Sequence, residues 1–369
     1  MENNESKLQD ILAGVRAADR DAMRAAAEYQ ARLAKPPGSL GRLEELAVQL
    51  AGITGKTKNR LATKCLLVFC ADNGVTEEGV ASTPRSVTAA QTLNLAHGRT
   101  GAAVLAAQFG CAVRVCDVGV DAEIEDAAVL NKKIARGTQN IARGAAMSRG
   151  QAIEAMLCGA ELALAAAQQG VSVLGVGEMG IGNTTTAAAV LAALTGESAE
   201  SVTGRGAGLS DAAYQNKIAV VQSALAVNVP APNDPIDVLS KVGGFDLAAM
   251  TGAFIGGARG RVPVVIDGFI SAVAALCACR LCPPVRDYLI ASHRSAENGC
   301  AIAEKELSLR PLFDLDMRLG EGSGCPIAMM LLDAACAVMN GMATFAAAGI
   351  DDGYLDLLDP ARKAGEGAL

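Results

Sequence analysis

The sequence contains no tryptophan, and aromatic residues make up only 3% of its 369 residues. Small and aliphatic side chains take their place, and 51% of the residues are hydrophobic. A chain of this length and composition can bury a sizeable core in which helices pack closely on a sheet. The sequence therefore predicts a globular protein.

The sequence also lacks an excess of basic residues. Its formal net charge is −7 at pH 7, and no basic cluster occurs along it. Because affinity for nucleic acids depends mainly on neutralising phosphates, this charge balance argues against a nucleic-acid surface. An isolated site for one phosphate group remains possible.

A recognisable targeting segment is missing as well. The amino terminus, MENNESKLQD, is polar and acidic and has neither the basic nor the apolar region of a signal peptide, so we expect a cytoplasmic protein. The least polar long segment, residues 326–350, contains Asp333 and Asn340. Because an acidic residue inside a bilayer is costly, we expect a buried helix there and no membrane span.

Only two histidines, His97 and His293, accompany eleven cysteines. The cysteines are scattered through a large chain without a secretory signal, which favours reduced, buried thiols over a disulfide framework. Cys277, Cys279 and Cys282 lie close together, but a metal site needs a fourth ligand, and neither histidine has a familiar spacing. We therefore expect no metal site. Core packing is the expected role of these three cysteines, with redox or metal use as the alternative.

Five apolar, β-branched runs alternate with helical patterns, and most of them end in polar residues and glycine. This alternation predicts an α/β fold with a doubly wound, mainly parallel, Rossmann-like sheet, in which ligands bind at the carboxyl ends of the strands. The helical patterns at the chain ends predict a smaller helical domain. The expected boundaries are a helical part at 1–60, a large α/β nucleotide-binding domain at 61–312, and an active-site loop with helices at 313–369 that pack with the N-terminal helices.

The stretch GVGEMGIGNTTTAAAV, residues 175–190, follows one of these runs and precedes an alanine-rich helix. A strand, a glycine turn and a helix N-terminus together are typical of an anion site, because unpaired N–H groups and the helix dipole attract phosphate. Glu178 would repel a phosphate in this loop. It therefore either points away or faces a more cationic part of the same ligand.

Residues 175–180 also satisfy the dinucleotide pattern G-x-G-x-x-G. That pattern requires an acidic residue for the ribose about 20 residues further on, at the end of a second strand. The acids available, Glu197 and Glu200, lie in LTGESAESV, which does not resemble the end of a buried strand. A mononucleotide site is therefore favoured. An NAD-dependent Rossmann oxidoreductase and a non-catalytic nucleotide-binding protein remain the alternative hypotheses.

Further candidates lie on the helix after a second glycine loop, TGRGAGL, and at strand ends. Lys217 can neutralise a phosphate as a point charge, and Asp267 and Ser295 follow predicted strands. Glu321 lies between two glycines, which let a loop fold tightly and present one carboxylate as a general base. No G-x-S-x-G sequence occurs, so a serine triad has no support, and His293 is expected to hold a strand end.

Taken together, the motifs KPPGSLGRLE, ADNGV, GEMGIGNTTTAAA, TGRGAGL, GGFDLAAMTGA, VVIDGF, ASHRSAE and MRLGEGSG resemble those of the nicotinate-nucleotide:dimethylbenzimidazole phosphoribosyltransferase (CobT) family, in order and approximate spacing. The resemblance covers nearly the whole chain. It implies a cytoplasmic homodimer that needs no cofactor and works in the assembly of the cobamide nucleotide loop. It also implies the reaction of nicotinate mononucleotide with a benzimidazole to give nicotinate and α-ribazole 5′-phosphate.

The resemblance also implies roles for individual residues. Glu321 would remove a proton from one benzimidazole nitrogen while the other attacks the anomeric carbon with inversion, and Glu178 would face the sugar and the cationic base. The implied nucleotide-binding residues are Gly177, Gly180, Gly182, Asn183, Thr184, Lys217, Asp267, Gly268 and Ser295, and the implied base-binding residues are Ser82, Gln91, Met317 and Leu319.

Two positions depart from the family pattern. Asn73 stands where many relatives have histidine, and Thr83 stands beside a proline where an aromatic residue is expected. Both departures concern the base pocket, so the sequence leaves the preferred base open.

Overall fold

The computed structural model describes residues 2–355. Its sheet has the strand order β3-β2-β1-β4-β5-β6, and every pairing is parallel. This is the strand order of the dinucleotide-binding α/β fold, in which the order reverses beside β1 and opens a ligand crevice. The strands are β1 Lys64–Ala71, β2 Cys111–Gly119, β3 Val129–Asn131, β4 Val173–Met179, β5 Val264–Ile266 and β6 Leu289–Ala291.

The central strands are buried along almost their whole length, as expected for parallel strands with both faces covered. The predicted α/β class is confirmed, and the sheet is wholly rather than mainly parallel. The edge strand β3 was not predicted. It has three residues, of which only Val129 is buried, so it leaves no continuous apolar run in the sequence.

The helices have the following bounds within the described residues: α1 Glu2–Ala13, α2 Arg20–Ala31, α3 Arg42–Thr54, α4 Val87–Ala96, α5 Gly101–Gln108, α6 Arg149–Gln168, α7 Asn183–Thr195, α8 Ala199–Val202, α9 Asp211–Asn228, α10 Pro235–Val242, α11 Phe245–Arg259, α12 Phe269–Leu281, α13 Cys300–Leu307, α14 Gly324–Gly341 and α15 Phe345–Ala348. Two 3-10 helices, Gly74–Glu78 and Pro283–Tyr288, complete the regular structure.

The chain forms two compact units. The larger contains the sheet and consists of the residues up to Ala17 together with Ala62–Met330. Helix α1 belongs to it because Leu8 is fully buried there and the backbone after the helix accepts a hydrogen bond from the Tyr288 hydroxyl. Residues 313–330, which contain the loop of Glu321 and the start of α14, also lie in this unit.

The smaller unit consists of Ala18–Leu61 and the described residues from Leu331 onward. Helices α2 and α3 pack against each other in it. The backbone N–H of Ala34 donates to the carbonyl of Ala343 at 2.9 Å, and the Asn340 side chain donates to the carbonyl of Asn59 at 2.7 Å. Segments from both ends of the chain thus share hydrogen bonds within this unit.

The abundance of small residues has a direct structural use where α6 crosses α11. A Cβ atom on Gly159 would lie 1.8 Å from the carbonyl oxygen of Ala249, and one on Gly252 would lie 1.8 Å from that of Met156. The two helix backbones therefore touch, which only glycine permits at these positions.

Two helices, α6 and α14, are long and apolar enough to cross a membrane by length and composition, and half of each apolar window is buried inside the structure. Both therefore pack against the rest of the chain, as helices in the core of a globular protein do. The eleven cysteines are all free. Burial raises the pKa of the thiols of Cys277 and Cys279 to about 12, as suits packed rather than reactive cysteines.

Candidate active site

A cavity of about 350 Å³ opens beyond the carboxyl ends of β4, β5 and β6, where ligands bind in parallel α/β sheets. It lies wholly within the larger unit. The structure brings most of the predicted site residues to its wall. They are Ser82, Gln91, Glu178, Gly180, Gly182, Asn183, Thr184, Lys217, Asp267, Gly268, Ser295, Leu319 and Glu321.

Gly177 is one of two predicted residues that do not line this cavity. It lies inside β4, and a Cβ atom on it would be 2.6 Å from the backbone nitrogen of Gly322. A Cβ on Gly175 would be 2.7 Å from the Cβ of Cys325. These two glycines make room for the segment after Glu321 and do not form a turn over a ligand. The dinucleotide interpretation of residues 175–180 is therefore wrong, because the strand continues through to Met179.

Met317 is the other predicted residue outside the cavity wall. It is half-buried, and its carbonyl oxygen accepts a hydrogen bond from the N–H of Ala296 at 3.2 Å. Its neighbours Arg318 and Leu319 line the cavity instead. The predicted placement of Met317 in the base pocket is therefore not what the structure shows.

Helix α7 begins at the cavity wall. Its N-cap, Gly182, has φ +92°, and no side chain caps the helix, so the N-terminus offers the polar environment that binds phosphates. The Asn183 side chain donates to Glu178 and, at 3.2 Å, to Asp246. Asn183 thus links two buried carboxylates rather than pointing to solvent.

Lys217, on α9, is fully buried, with 1% of its surface exposed. Its ammonium group donates to the Thr184 hydroxyl at 2.8 Å and to the Gly204 carbonyl at 3.0 Å. Burial lowers the pKa of Lys217 to about 8, and attraction by Glu297 opposes this shift. A buried cation beside a helix N-terminus is suited to binding a phosphate group.

Glu321 has a left-handed backbone conformation, with φ +62°, between Gly320 and Gly322, which both have φ +81°. The flanking glycines allow this tight turn, as the sequence predicted. The residue is 5% exposed, and its carboxylate accepts hydrogen bonds from Gln91 at 3.3 Å and from the N–H of Ala102 at 3.5 Å. Burial raises the pKa of Glu321 above its usual range, which makes it a stronger base than an exposed glutamate.

Asp267 holds the segment after Glu321. Its two carboxylate oxygens accept hydrogen bonds from the N–H groups of Gly322 at 3.0 Å and Gly324 at 2.7 Å. The residue lines the cavity, but both of its oxygens are engaged with this segment. Its geometry therefore favours positioning Glu321 over direct contact with a nucleotide.

His293 supports the same strand end. Its Nδ1 lies 3.0 Å from the Ser292 hydroxyl and 3.9 Å from an oxygen of Asp267, and its ring stacks on Phe313 with centroids 5.8 Å apart. The Ser292 hydroxyl donates to the carbonyl of Asp267 at 2.8 Å. His293 thus lies in the framework that supports Asp267, consistent with its expected role.

Glu178 is buried in the cavity wall, with 6% of its surface exposed. Burial raises its pKa to about 8, and repulsion by the neighbouring Asp246 adds to the shift. Burial also raises the pKa of Asp246 to about 6. A positively charged ligand beside Glu178 would stabilise its ionised form, because it would offset the cost of burial and the repulsion by Asp246.

Several residues at or beside this site were not singled out from the sequence. Arg205, Glu297 and Arg318 line the cavity, and Asp246 lies behind Glu178. Arg205, Asp246, Glu297 and Arg318 each lie within one of the motifs that carry the family resemblance, and this membership is the signal that could have found them. Among residues 2–355, no group of three or more potential ligands is arranged to hold a metal ion.

The strand order and the cavity at the carboxyl ends of the strands define an α/β protein with a ligand site at the edge of a parallel sheet. A family model described as phosphoribosyltransferase matches residues 15–350. The chain belongs to the family of nicotinate-nucleotide–dimethylbenzimidazole phosphoribosyltransferases, the CobT family, and is an enzyme of that class. The family resemblance and the enzyme class predicted from the sequence are thereby confirmed.

Two relatives illustrate the similarity in sequence. The nicotinate-nucleotide–dimethylbenzimidazole phosphoribosyltransferase of Clostridium perfringens (strain ATCC 13124) is 48% identical over 349 residues, which cover 95% of this chain and 97% of the relative. That of Salmonella arizonae is 51% identical over 344 residues, which cover 93% and 97%. Among solved structures, CobT from Thermus thermophilus superposes with a TM-score of 0.87 at 41% identity and covers 90% of this chain and 100% of that one.

Proposed function

We propose that the enzyme transfers the 5-phosphoribosyl group of nicotinate mononucleotide to 5,6-dimethylbenzimidazole or a related lower-ligand base, with release of nicotinate and formation of α-ribazole 5′-phosphate. The observation that carries this proposal is the placement of Glu321. Its carboxylate, with a raised pKa, is held on the wall of a cavity that also contains a buried lysine beside a helix N-terminus.

The nucleotide would bind with its phosphate near Lys217, Thr184 and the start of α7. Gly268 and Ser295 lie on the same cavity wall, and a Cβ atom on Gly268 would be 3.4 Å from the Cβ of Ser295. The absence of a side chain at Gly268 therefore lets a phosphate approach both backbone and hydroxyl. Gly180 and Gly182 border the same region.

The base would bind at the end of the cavity formed by Ser82, Gln91 and Leu319. Gln91 connects this end to the general base, because its amide donates to Glu321. Glu321 would accept the proton from one azole nitrogen while the other nitrogen attacks the anomeric carbon. Attack on the face opposite to nicotinate would convert the β-nucleotide into the α-product.

The leaving group needs no general acid. The pyridinium nitrogen of nicotinate mononucleotide already carries a positive charge, and departure neutralises it while the sugar gains oxocarbenium character. A carboxylate beside the sugar, as we propose for Glu178, would stabilise that developing charge. Glu178 would ionise on nucleotide binding, because a cationic ring beside it offsets the cost of burying its charge.

Three further features belong to the proposal. The strand order supports a doubly wound sheet, and the relatives' names support nicotinate nucleotide and dimethylbenzimidazole as substrates. We also propose a cytoplasmic homodimer. Chromatography with light scattering tests the dimer directly.

The proposed activity is tested by incubating the protein with nicotinate mononucleotide and a panel of benzimidazoles, purines and phenolic bases, and by identifying the products by mass spectrometry. We expect equimolar nicotinate and α-riboside phosphate with at least one benzimidazole. Tight nucleotide binding without release of nicotinate for any base would contradict the proposal.

A further inference from the structure

The cavity wall contains three cationic side chains, of which two are already offset by carboxylates. Lys217 is attracted by Glu297, and Arg205 forms an ion pair with Asp211 at 2.6 Å. Arg318 also lines the cavity. Within the described part of the chain, its polar contact is with a carbonyl oxygen and it has no acidic partner. Its charge is therefore free to meet an anionic ligand.

Arg318 reaches the glycine loop that borders the buried lysine. Its Nη1 donates to the carbonyl oxygen of Gly206 at 3.3 Å. On the other side, a Cβ atom on Gly206 would lie 3.2 Å from the Thr184 hydroxyl and 3.6 Å from the Lys217 ammonium group. The arginine, the lysine and the threonine thus meet around Gly206, which has the left-handed φ of +57°.

The negative charge of a phosphate group is larger than the positive charge that Lys217 provides. A phosphate monoester carries between −1.5 and −2 charges at pH 7. The buried carboxylate of Glu297, one of whose oxygens has no hydrogen-bond partner among the described residues, offsets the single positive charge of Lys217. A second cation is therefore needed to neutralise a phosphate at this end of the cavity, and Arg318 is positioned to provide it.

Arg318 also lies on the loop of the general base, three residues before Glu321. We propose that Arg318 binds the 5′-phosphate of the nucleotide together with Lys217 and thereby positions the Glu321 loop, so that phosphate binding assembles the general base. This inference rests on the proposed function. It makes Arg318 a phosphate ligand that acts on catalysis as a positioning residue.

Such coupling uses binding energy from a part of the substrate that does not react. Energy of this kind appears in kcat as well as in KM when it orients the reacting groups. The inference therefore predicts that removing the phosphate from the substrate, or the arginine from the enzyme, lowers turnover even at saturating substrate.

The test compares nicotinate mononucleotide with nicotinate riboside, which lacks only the phosphate, in the wild-type enzyme and in Arg318→Met. With the mononucleotide, we expect kcat of Arg318→Met to fall by about 100-fold, the scale of losing one charged group that supports the transition state. With the riboside, the same substitution should change kcat/KM by less than about threefold. Free phosphite dianion should activate the riboside reaction in the wild type and not in Arg318→Met.

Arg205→Met is the matched control, because Arg205 lines the same cavity but is paired with Asp211. Arg205→Met should lower kcat for the mononucleotide less than Arg318→Met does, and it should retain activation of the riboside reaction by phosphite. Arg318→Lys should restore part of the phosphate effect. Arg318 is exposed, so these variants are expected to fold.

Three results would overturn the inference. Equal losses with riboside and mononucleotide would show a structural effect, and a rise in KM with unchanged kcat would show binding without positioning. A selective loss of discrimination between nicotinate and nicotinamide mononucleotides would assign Arg318 to the ring carboxylate. Failure of the wild-type enzyme to release nicotinate with any base would instead overturn the proposed function itself, and this inference with it.

Discussion

The backbone N–H of Glu321 donates a hydrogen bond to the side chain of Glu178 at 3.3 Å. The main chain at the proposed base is thereby tied directly to the carboxylate of the proposed electrostatic residue. A Cβ atom on Gly320 would lie 2.6 Å from the same Glu178 oxygen. The close approach of the two carboxylate-bearing segments therefore depends on the glycine that precedes the base.

Asp267→Asn tests the support of this loop. Asp267 accepts hydrogen bonds from Gly322 and Gly324 with separate oxygens, and asparagine retains only one acceptor oxygen. We expect kcat to fall by about 100-fold, because misplacing a catalytic group by about 1 Å costs roughly that factor. The KM for nicotinate mononucleotide should change little, and both constants follow from steady-state kinetics.

A contradictory outcome for Asp267→Asn would be a large rise in KM with kcat preserved. That result would return Asp267 to the role of nucleotide ligand that the sequence suggested. Thermal unfolding of the variant, measured alongside, separates loss of loop position from loss of the fold.

Gly177→Ala tests the contact between strand β4 and the Glu321 loop. The added methyl group would lie 2.6 Å from the backbone nitrogen of Gly322, and backbone cannot move aside as a flexible side chain can. We expect kcat to fall by at least about tenfold. Gly144→Ala is the matched control, since a Cβ atom there meets nothing within 4 Å, and its kinetics should equal those of the wild type. Full activity of Gly177→Ala would show that the loop does not depend on this contact.

The strands were predictable because each leaves a continuous apolar run that ends in polar residues. Those positions also placed Glu178, Asp267 and Ser295 at one edge of the sheet. The role of Asp267 was not predictable, because its partners are backbone N–H groups more than 50 positions away in the chain. The sequence around Asp267 shows a carboxylate that can accept hydrogen bonds, but it does not show which loop donates them.

The glycines of residues 175–180 are a second case in which the local sequence does not show the tertiary contact. The pattern G-x-G-x-x-G has one meaning when the glycines form a turn and another when they lie inside a strand. Gly175 and Gly177 are inside β4 and admit a neighbouring segment of chain. Asp246 lies beside Glu178 only because α11 begins there, and no local pattern in GGFDLAAM discloses that contact.

Lys217 gives the site a dependence on pH. Burial lowers its pKa from 10.5 to about 8, so the ammonium form that attracts phosphate predominates below pH 8 and is lost as the pH rises through that value. Affinity for ribose 5-phosphate should therefore be greatest between about pH 6, where the phosphate becomes dianionic, and pH 8. Above pH 8 it should fall by up to tenfold per pH unit.

Ribose 5-phosphate is the suitable ligand for this titration because it has no cationic ring. Glu178, whose pKa is also raised to about 8, would favour a cationic ring as it ionises and would mask the effect of the lysine. Calorimetry across this range should show a weaker affinity for Lys217→Met, with a smaller decline above pH 8 than in the wild type, because only the ionisation of Glu178 then opposes the phosphate. An identical decline in wild type and variant would assign the pH dependence to another group.

Glu321→Gln tests the central claim most directly. Glutamine keeps the size of the side chain and an acceptor oxygen but cannot take a proton, and a general base contributes about 10² to 10⁴ in rate. Glu306→Gln is the control, since Glu306 is paired with Arg280 at 2.7 Å and does not line the cavity. The decisive measurement is single-turnover release of nicotinate with saturating dimethylbenzimidazole, together with the Kd for nicotinate mononucleotide. The account predicts release slowed by at least about 100-fold with Kd unchanged, and release at the wild-type rate by Glu321→Gln would contradict it.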